Sequence, residues 1–239
     1  MKKLVNDLYD YHDMKIYQYD NGFKFSLDSI LLAELVQIHK KDQQLLDLCT
    51  GNAVVPLIVS TKSNISMTGV ELQSEIYQLA CESVLLNHRE HQIHLIHDDV
   101  KNLKNYFPGN SLDIITCNPP YFRYHDEAFL NQERIKQIAR HEVKITLNEI
   151  IQIASEFLKD KGNFYLVHIS ERLQEVLYLM EQYHLRVKDV YFVYPKKEER
   201  SFLVLFRSIK NGHIGVKVHQ PIYLDELTTY QKLFDEVIK

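Results

Sequence analysis

The 239-residue sequence predicts an α/β fold, a doubly wound and mostly parallel sheet of seven strands in which the last strand is antiparallel. Short β-prone apolar segments alternate with helical segments through most of the chain, which is typical of a sheet covered by helices on both faces. Only the loop "PKKEER" (195–200) joins the last two strands, so the final strand reverses direction. With 45% hydrophobic residues, the chain can bury the core of one such domain.

Seven apolar segments bounded by polar or turn-forming residues are predicted as strands. In chain order they cover 44–48, 66–72, 92–99, 112–117, 163–169, 187–194 and 201–208. Five further segments are predicted as helices, most of them from apolar residues at helical spacing. They cover 26–38, 54–61, 74–87, 147–158 and 171–183, with Pro56 tolerated in the first turn of the second helix.

The composition argues against a membrane protein and a secreted protein, and it limits how the chain could bind nucleic acid. The sequence has no apolar run of about 18 residues, so we expect no transmembrane helix. Asn6, Asp7 and Asp10 interrupt any signal-peptide core. Three widely spaced cysteines argue against a disulfide framework and favour the reducing cytoplasm. The formal net charge of −4 means that nucleic-acid binding would need a local basic patch.

Polar motifs follow the first four predicted strands, at the edge of the sheet where α/β folds bind their ligands. "DLCTGN" is either a degenerate glycine-rich nucleotide loop, in which only Gly51 remains, or an ordinary turn. Glu71 ends the second strand, where a carboxylate can bind ribose hydroxyls, although an exposed loop acid is the alternative. Asp98 and Asp99 end the third strand and could accept from an adenine amino group. Since no phosphate-loop lysine is present, the set favours an adenosine-bearing cofactor over a phosphate-rich one.

The fourth strand ends in "NPPYF", which suits the activation of a planar amine. The side-chain oxygen of Asn118 and the carbonyl of Pro119 could both accept from one exocyclic amino group, and the two prolines would fix that geometry. Tyr121 offers a face for stacking a base, worth roughly 1–3 kcal/mol in nucleic-acid sites. Two acceptors would localise the nitrogen lone pair and direct it at an electrophile.

In this order the motifs resemble those of the class I S-adenosylmethionine-dependent methyltransferases, whose fold is Rossmann-like, and "NPPYF" resembles their amino-methylating N-P-P-Y branch. "GFKFSLDSILLA", "ARHEVKITLNEII" and "QPIYL…TTYQKLFDEV" are similar to the bacterial tRNA1(Val) adenine N6-methyltransferases. The resemblance covers nearly the whole chain. It implies S-adenosyl-L-methionine as cofactor, tRNA as partner and adenine 37, immediately 3′ of the anticodon, as the modified base.

The same resemblance implies roles for particular residues. The implied catalytic residues are Asn118, Pro119 and Tyr121. The implied cofactor-binding residues are Phe25, Asp28, Asp47, Cys49, Gly51, Glu71, Leu72, Asp98, Asp99 and Asn118, with Asp99 favoured over Asp98 for the adenine amine. The implied substrate-binding residues are Pro120, Phe122, Arg140, Lys196 and Lys197. Cys49 and Ala53 stand where relatives usually have glycine.

We expect a single domain over 1–239, with a cofactor-capping segment (1–43), a catalytic core (44–208) and a C-terminal extension (209–239). Alternatives remain open: methylation of a glutamine in a release factor, a non-catalytic RNA- or protein-binding module, and, less favoured, DNA methylation. The loop 195–200 contacts phosphates or is a solvated hairpin tip. Four histidines recur at intervals of three, at positions 88, 91, 94 and 97. They cross from a helix into a strand and cannot share one face, so we expect no metal site.

Overall fold

The computed structural model describes residues 2–20, 27–119, 145–231 and 233–234. In the described residues, seven long strands form the main part of the central sheet. They are β3 (Gln44–Leu48), β4 (Ser66–Glu71), β5 (Ile93–His97), β6 (Leu112–Cys117), β7 (Leu158–Ile169), β8 (Leu185–Tyr194) and β9 (Leu203–Lys210). Their spatial order is β5-β4-β3-β6-β7-β9-β8, and only β9 runs antiparallel to its neighbours. The predicted sheet, with its antiparallel last strand, is confirmed.

Five α-helices are present in the described residues, at the predicted places and with shorter ends. They are α1 (Leu27–Leu35), α2 (Val54–Val59), α3 (Ser74–Leu86), α4 (Leu147–Phe157) and α5 (Leu173–Gln182). The side chain of Thr146 accepts from the backbone of Glu149, whose side chain accepts in return from the Thr146 backbone, so a capping box fixes the start of α4. α4 passes directly into β7 at Leu158, which is why β7 is longer than predicted.

The helices cover both faces of the sheet, and the core is therefore divided into two hydrophobic clusters. One cluster contains buried residues of α1, α2 and α3, and the other contains those of α4 and α5. Successive residues of β7 alternate between them: Tyr165 and Val167 belong to the first cluster, Phe164 and Leu166 to the second. A strand buried on both faces is continuously apolar, which explains the uninterrupted pattern in the sequence.

A hairpin precedes the first helix and was not predicted. Its strands are β1 (Lys3–Leu8) and β2 (Tyr11–Tyr19), paired antiparallel in a separate two-stranded sheet. The backbone nitrogen of Tyr17 donates to the Ser83 hydroxyl at 3.0 Å, which joins β2 to α3. The side chain of Asn87 bonds both the nitrogen and the oxygen of Lys15, at 2.9 and 2.7 Å. These hydrogen bonds hold the hairpin against α3 and the residue that follows it.

The C-terminal segment adds two short strands, β10 (Lys217–Val218) and β11 (Ile222–Tyr223), both parallel to β8. They extend the central sheet to nine strands. Beyond them, the Tyr230 nitrogen and the Thr229 hydroxyl donate to the Asp10 carboxylate at 2.7 and 2.9 Å. The segment therefore reaches the turn of the N-terminal hairpin. Among the described helices, none is both long enough and apolar enough to span a membrane.

Candidate active site

The carboxyl ends of β3, β4, β5 and β6 lie side by side, because β3 pairs in parallel with β4 and β6, and β4 with β5. The register places Asp47 opposite Gly69 on one side and Thr116 on the other. The motifs that follow these strands are therefore gathered at one edge of the sheet. A pocket at this edge is lined by Ser29, Asp47, Cys49, Thr50, Gly51, Asn52, Val54, Val55 and Asn118.

Asp47, near the end of β3, is buried and held by two hydroxyl groups. Its carboxylate accepts from Thr116 at 2.5 Å and from Thr50 at 2.7 Å. Burial raises the pKa of Asp47 to about 7, and the carboxylate of Glu71 adds to the rise, although the hydroxyl hydrogen bonds act in the opposite direction. Asp47 can therefore change charge near neutral pH.

Glu71, the last residue of β4, is also buried and organises the loop after β3. One carboxylate oxygen accepts from the Gly51 nitrogen at 3.0 Å, and the other from the Gln73 nitrogen at 2.9 Å. Burial raises the pKa of Glu71 despite these hydrogen bonds. Neither Asp47 nor Glu71 forms an ion pair with a described residue. Two buried acids side by side favour a ligand that carries positive charge.

The loop after β3 explains why glycines were expected in it. Cys49, Gly51 and Ala53 all have positive φ, at 56°, 57° and 65°. This left-handed conformation costs a residue with a Cβ roughly 1–2 kcal/mol. Gly69 on β4 lets the loop approach the sheet, because a Cβ there would lie 2.7 Å from the Thr50 hydroxyl oxygen. The loop after β3 can therefore pack closely against β4.

Asn52, at the start of the turn into α2, is 1% exposed. Its side-chain nitrogen donates to the backbone oxygen of Tyr17 at 2.6 Å, which connects the loop to the hairpin. Its side-chain oxygen is buried and has no hydrogen-bond partner among the described residues.

Asp98 and Asp99, which follow β5, have different hydrogen-bond partners. Both oxygens of Asp98 accept side-chain hydrogen bonds, from Asn102 and Tyr106, each at 2.8 Å, and these bonds lower the pKa of Asp98. Asp99 accepts from the Lys101 nitrogen at 2.9 Å and caps the following 3₁₀ turn. Leu72 is half-buried, and its carbonyl lies 3.2 Å from a ring nitrogen of His97.

At the end of β6, Asn118 is half-buried and Pro119 is buried. The side-chain nitrogen of Asn118 donates to the hydroxyl of Ser29 at 2.9 Å. Ser29 and Asp28 are both buried in the first turn of α1. α1 therefore brings the segment before the core against the end of β6.

Five predicted residues, Phe25, Pro120, Tyr121, Phe122 and Arg140, lie outside the described residues. Lys196 and Lys197 are exposed in the turn after β8, where Lys196 pairs with Glu199 at 3.1 Å. β8 lies three strands away from β6, which is about 14 Å at the usual strand spacing. These lysines are therefore separate from the pocket. In the described part of the chain, no cluster of three or more His, Cys, Asp or Glu side chains could hold a metal ion.

Sequence reasoning missed four polar residues of the site, Ser29, Thr50, Asn52 and Thr116. Thr116 gave a signal, because it is the only polar residue between the acid at 113 and the end of an apolar strand. The partners of Ser29 and Asn52 are distant in sequence, 89 and 35 residues away, and no local pattern indicates such contacts.

The sheet order, with a polar loop after β3 and an acid at the end of β4, is typical of a Rossmann-like fold that binds a nucleotide-containing ligand. The chain belongs to the methyltransferase small domain family, whose model matches residues 24–191. Solved structures agree in fold. A predicted O-methyltransferase from Agrobacterium tumefaciens is 18% identical, with a TM-score of 0.65 over 86% of this chain and 91% of that one. TYW2 of M. jannaschii, in complex with AdoMet, is 14% identical, with a TM-score of 0.57 over 87% of this chain and 86% of that one.

Several curated relatives carry the name tRNA1(Val) (adenine(37)-N6)-methyltransferase. The protein of Cytophaga hutchinsonii is 25% identical over 69% of this chain and 67% of its own length. That of Aliivibrio salmonicida is 26% identical over 59% of this chain and 58% of its own length. That of Parabacteroides distasonis is 20% identical over 97% of this chain and 98% of its own length.

Proposed function

We propose that this methyltransferase transfers a methyl group from S-adenosyl-L-methionine to the exocyclic N6 amine of an adenine in tRNA. The substrate would be adenine 37 of tRNA1(Val), the base in the names of the curated relatives. One observation carries the proposal: Asn118 and Pro119 end β6 beside a pocket that contains the buried carboxylate of Asp47. This arrangement supports the proposal, because Asn118 and Pro119 would be amine acceptors next to a site suited to a cationic ligand.

The residues at the sheet edge fit the cofactor by charge. S-adenosylmethionine supplies an electrophilic methyl group on a positively charged sulfonium, and its amino-acid end carries an ammonium group. Asp47 and Glu71 are buried acids without a described ion-pair partner, so a cation nearby would offset the cost of their burial. Glu71 would accept from the ribose hydroxyls, and Asp99, whose carboxylate is less occupied than that of Asp98, from the adenine amine.

Most of the other proposed cofactor-binding residues are assigned because they lie close to the pocket. Cys49 and Gly51 border the same pocket as Asp47, and Leu72 lies between Glu71 and the β5 end. Asp28 and Phe25 belong to the capping segment 1–43. The contacts of that segment support its role, since the hairpin bonds the loop through Asn52.

Asn118 and Pro119 would act on the substrate. The Asn118 oxygen and the Pro119 carbonyl accept the two amine hydrogens, which draws the lone pair out of conjugation with the ring and directs it at the electrophilic carbon. Tyr121 would stack on the base, with Pro120 and Phe122 beside it. The sulfonium carries its positive charge before transfer and leaves as a neutral thioether, while the charge passes to the methylated amine. No strong base is therefore required, and the amine loses one proton to solvent after transfer.

The tRNA would be held by basic side chains on the face around this edge. The candidates are Arg123, Arg134, Lys136, Arg140, Lys196, Lys197 and Arg200. Lys196, Lys197 and Arg200 are exposed, which suits contact with phosphates. A tRNA-modifying enzyme would act in the cytoplasm. Binding should weaken steeply with salt, and a flat salt dependence would argue against this surface.

The direct test incubates the purified protein with labelled S-adenosylmethionine and three acceptors: bulk tRNA, a release factor and duplex DNA. We expect label in tRNA alone, recovered as N6-methyladenosine at the position 3′ of the anticodon. Label in the release factor would replace this proposal with glutamine methylation. Cofactor binding without transfer to any acceptor would favour a non-catalytic module.

A further inference from the structure

We infer that Asn52 is a cofactor-binding residue whose side-chain oxygen accepts from the ammonium group at the amino-acid end of the cofactor. The inference rests on the proposed function, since it assumes S-adenosylmethionine as the ligand. It assigns a binding role to a residue of the "DLCTGN" motif for which the sequence indicated none, and it connects the N-terminal hairpin to the site through the Asn52–Tyr17 hydrogen bond.

The orientation of the Asn52 amide is fixed by its partner. Its nitrogen donates to the backbone oxygen of Tyr17 at 2.6 Å. A backbone carbonyl can only accept, so the amide cannot turn round without placing two oxygens against each other. The side-chain oxygen therefore cannot take the place of the nitrogen beside the Tyr17 carbonyl.

That oxygen needs a donor. It is buried and has no hydrogen-bond partner among the described residues. A buried acceptor left without a partner destabilises a protein, and native structures rarely keep one without a reason. Asn52 also lines the pocket together with Asp47 and Gly51. A donor supplied by a ligand in this pocket would satisfy the oxygen.

The neighbouring charge indicates which donor. Asp47 is 2% exposed, and its two hydroxyl partners leave its negative charge uncompensated by any described cation. An ammonium group carries several N–H donors and a positive charge. It can satisfy the Asn52 oxygen and interact with the Asp47 carboxylate together. The ribose and adenine ends of the cofactor are assigned to Glu71 and Asp99 instead.

The test uses two probes that differ at this end. S-adenosylhomocysteine keeps the amino-acid end, and 5′-methylthioadenosine lacks it. We expect Asn52→Leu, a change of similar volume, to weaken S-adenosylhomocysteine binding by about 10- to 100-fold, as for a lost hydrogen bond to a charged group. Binding of 5′-methylthioadenosine should stay within about twofold of wild type, measured by titration calorimetry.

Asn87→Leu is the matched control. Asn87 also bonds the hairpin through its amide, but its oxygen is satisfied by the Lys15 nitrogen and it lies outside the pocket. This variant should lower the melting temperature and leave the affinity for both probes unchanged. If Asn52→Leu affects both probes equally, or neither, the assignment is wrong. If the wild-type protein binds neither probe, the proposed function itself fails.

Discussion

The carboxylate of Glu71, at the end of β4, accepts a hydrogen bond of 3.0 Å from the backbone nitrogen of Gly51, in the loop after β3. A second bond, from the Gln73 nitrogen at 2.9 Å, holds the other oxygen. The acid therefore fixes the loop to the neighbouring strand before any ligand binds. In the proposed site the same carboxylate also accepts from the cofactor ribose, so loop order and cofactor affinity depend on one side chain.

Glu71→Ala should weaken cofactor binding by about 1.5–3 kcal/mol, the usual range for hydrogen bonds to charged groups. Glu75→Ala, an exposed acid in the first turn of α3, is the control and should leave the affinity unchanged. Titration calorimetry with S-adenosylmethionine measures both. A lower melting temperature with unchanged affinity would show that Glu71 only braces the loop.

Cofactor affinity should rise with pH through neutrality because of Asp47. Its pKa is about 7 in the folded protein, and a cationic ligand favours the charged carboxylate. Below pH 7 binding must first remove a proton, so the affinity should fall by up to about tenfold per pH unit. Asp47→Asn should remove most of this slope. A wild-type affinity that is constant between pH 6 and 8 would contradict a cation beside Asp47.

Without ligand, the raised pKa of Asp47 should make the protein less stable as the pH rises, whereas cofactor affinity increases with pH. The folded pKa of Asp47 is raised from 3.8 to about 7, so between these values the folded state binds more protons than the unfolded state. The contribution of Asp47 to stability is complete below pH 3.8 and is lost as the pH rises through about 7. The melting temperature should therefore decline over this window more in wild type than in Asp47→Asn. The raised pKa of Glu71 acts in the same direction and remains in both proteins.

Ala53→Gly should be far less destabilising than a glycine substitution in a helix. Ala53 has a φ of 65°, which glycine adopts without strain. Ala154 is equally buried but lies in α4, where glycine costs about 1 kcal/mol relative to alanine. Chemical denaturation should show Ala53→Gly to be more stable than Ala154→Gly by about 1 kcal/mol or more. Equal losses would mean that the positive φ carries no strain.

The sequence predicted the centre of the sheet well because strands such as β3 and β6 are buried on both faces and form apolar runs in the sequence. β3 and β6 have the predicted bounds, 44–48 and 112–117. The hairpin was missed because β1 is half-exposed and its sequence, KLVNDL, does not alternate apolar with polar residues. Its position depends on contacts with residues more than 60 positions away, such as Ser83 and Asn87. The short strands β10 and β11 likewise depend on pairing with β8, not on a pattern of their own.

The site was predicted in part. The common position of the acids and the amide at one edge of the sheet could be predicted because these residues end apolar strands, and parallel strands bring such ends together. The positive φ of Cys49 and Ala53 agrees with the expectation that glycine usually occupies their positions. Contacts such as that between Asn118 and Ser29 were not foreseen, because they join elements that only the folded sheet brings together. The roles of Tyr121, Phe122 and Arg140 stay predictions.

The central claim is that Asn118 activates the amine, and one comparison tests it most directly. In Asn118→Ala the initial rate of methyl transfer to tRNA should fall by roughly 10²–10³, as when one preorganised polar group is lost from an active site. Cofactor affinity should stay near the wild-type value, because Glu71 and Asp47 remain. Asn118→Asp should lose less, since a carboxylate still accepts. An Asn118→Ala protein that methylates tRNA at the wild-type rate would contradict the account.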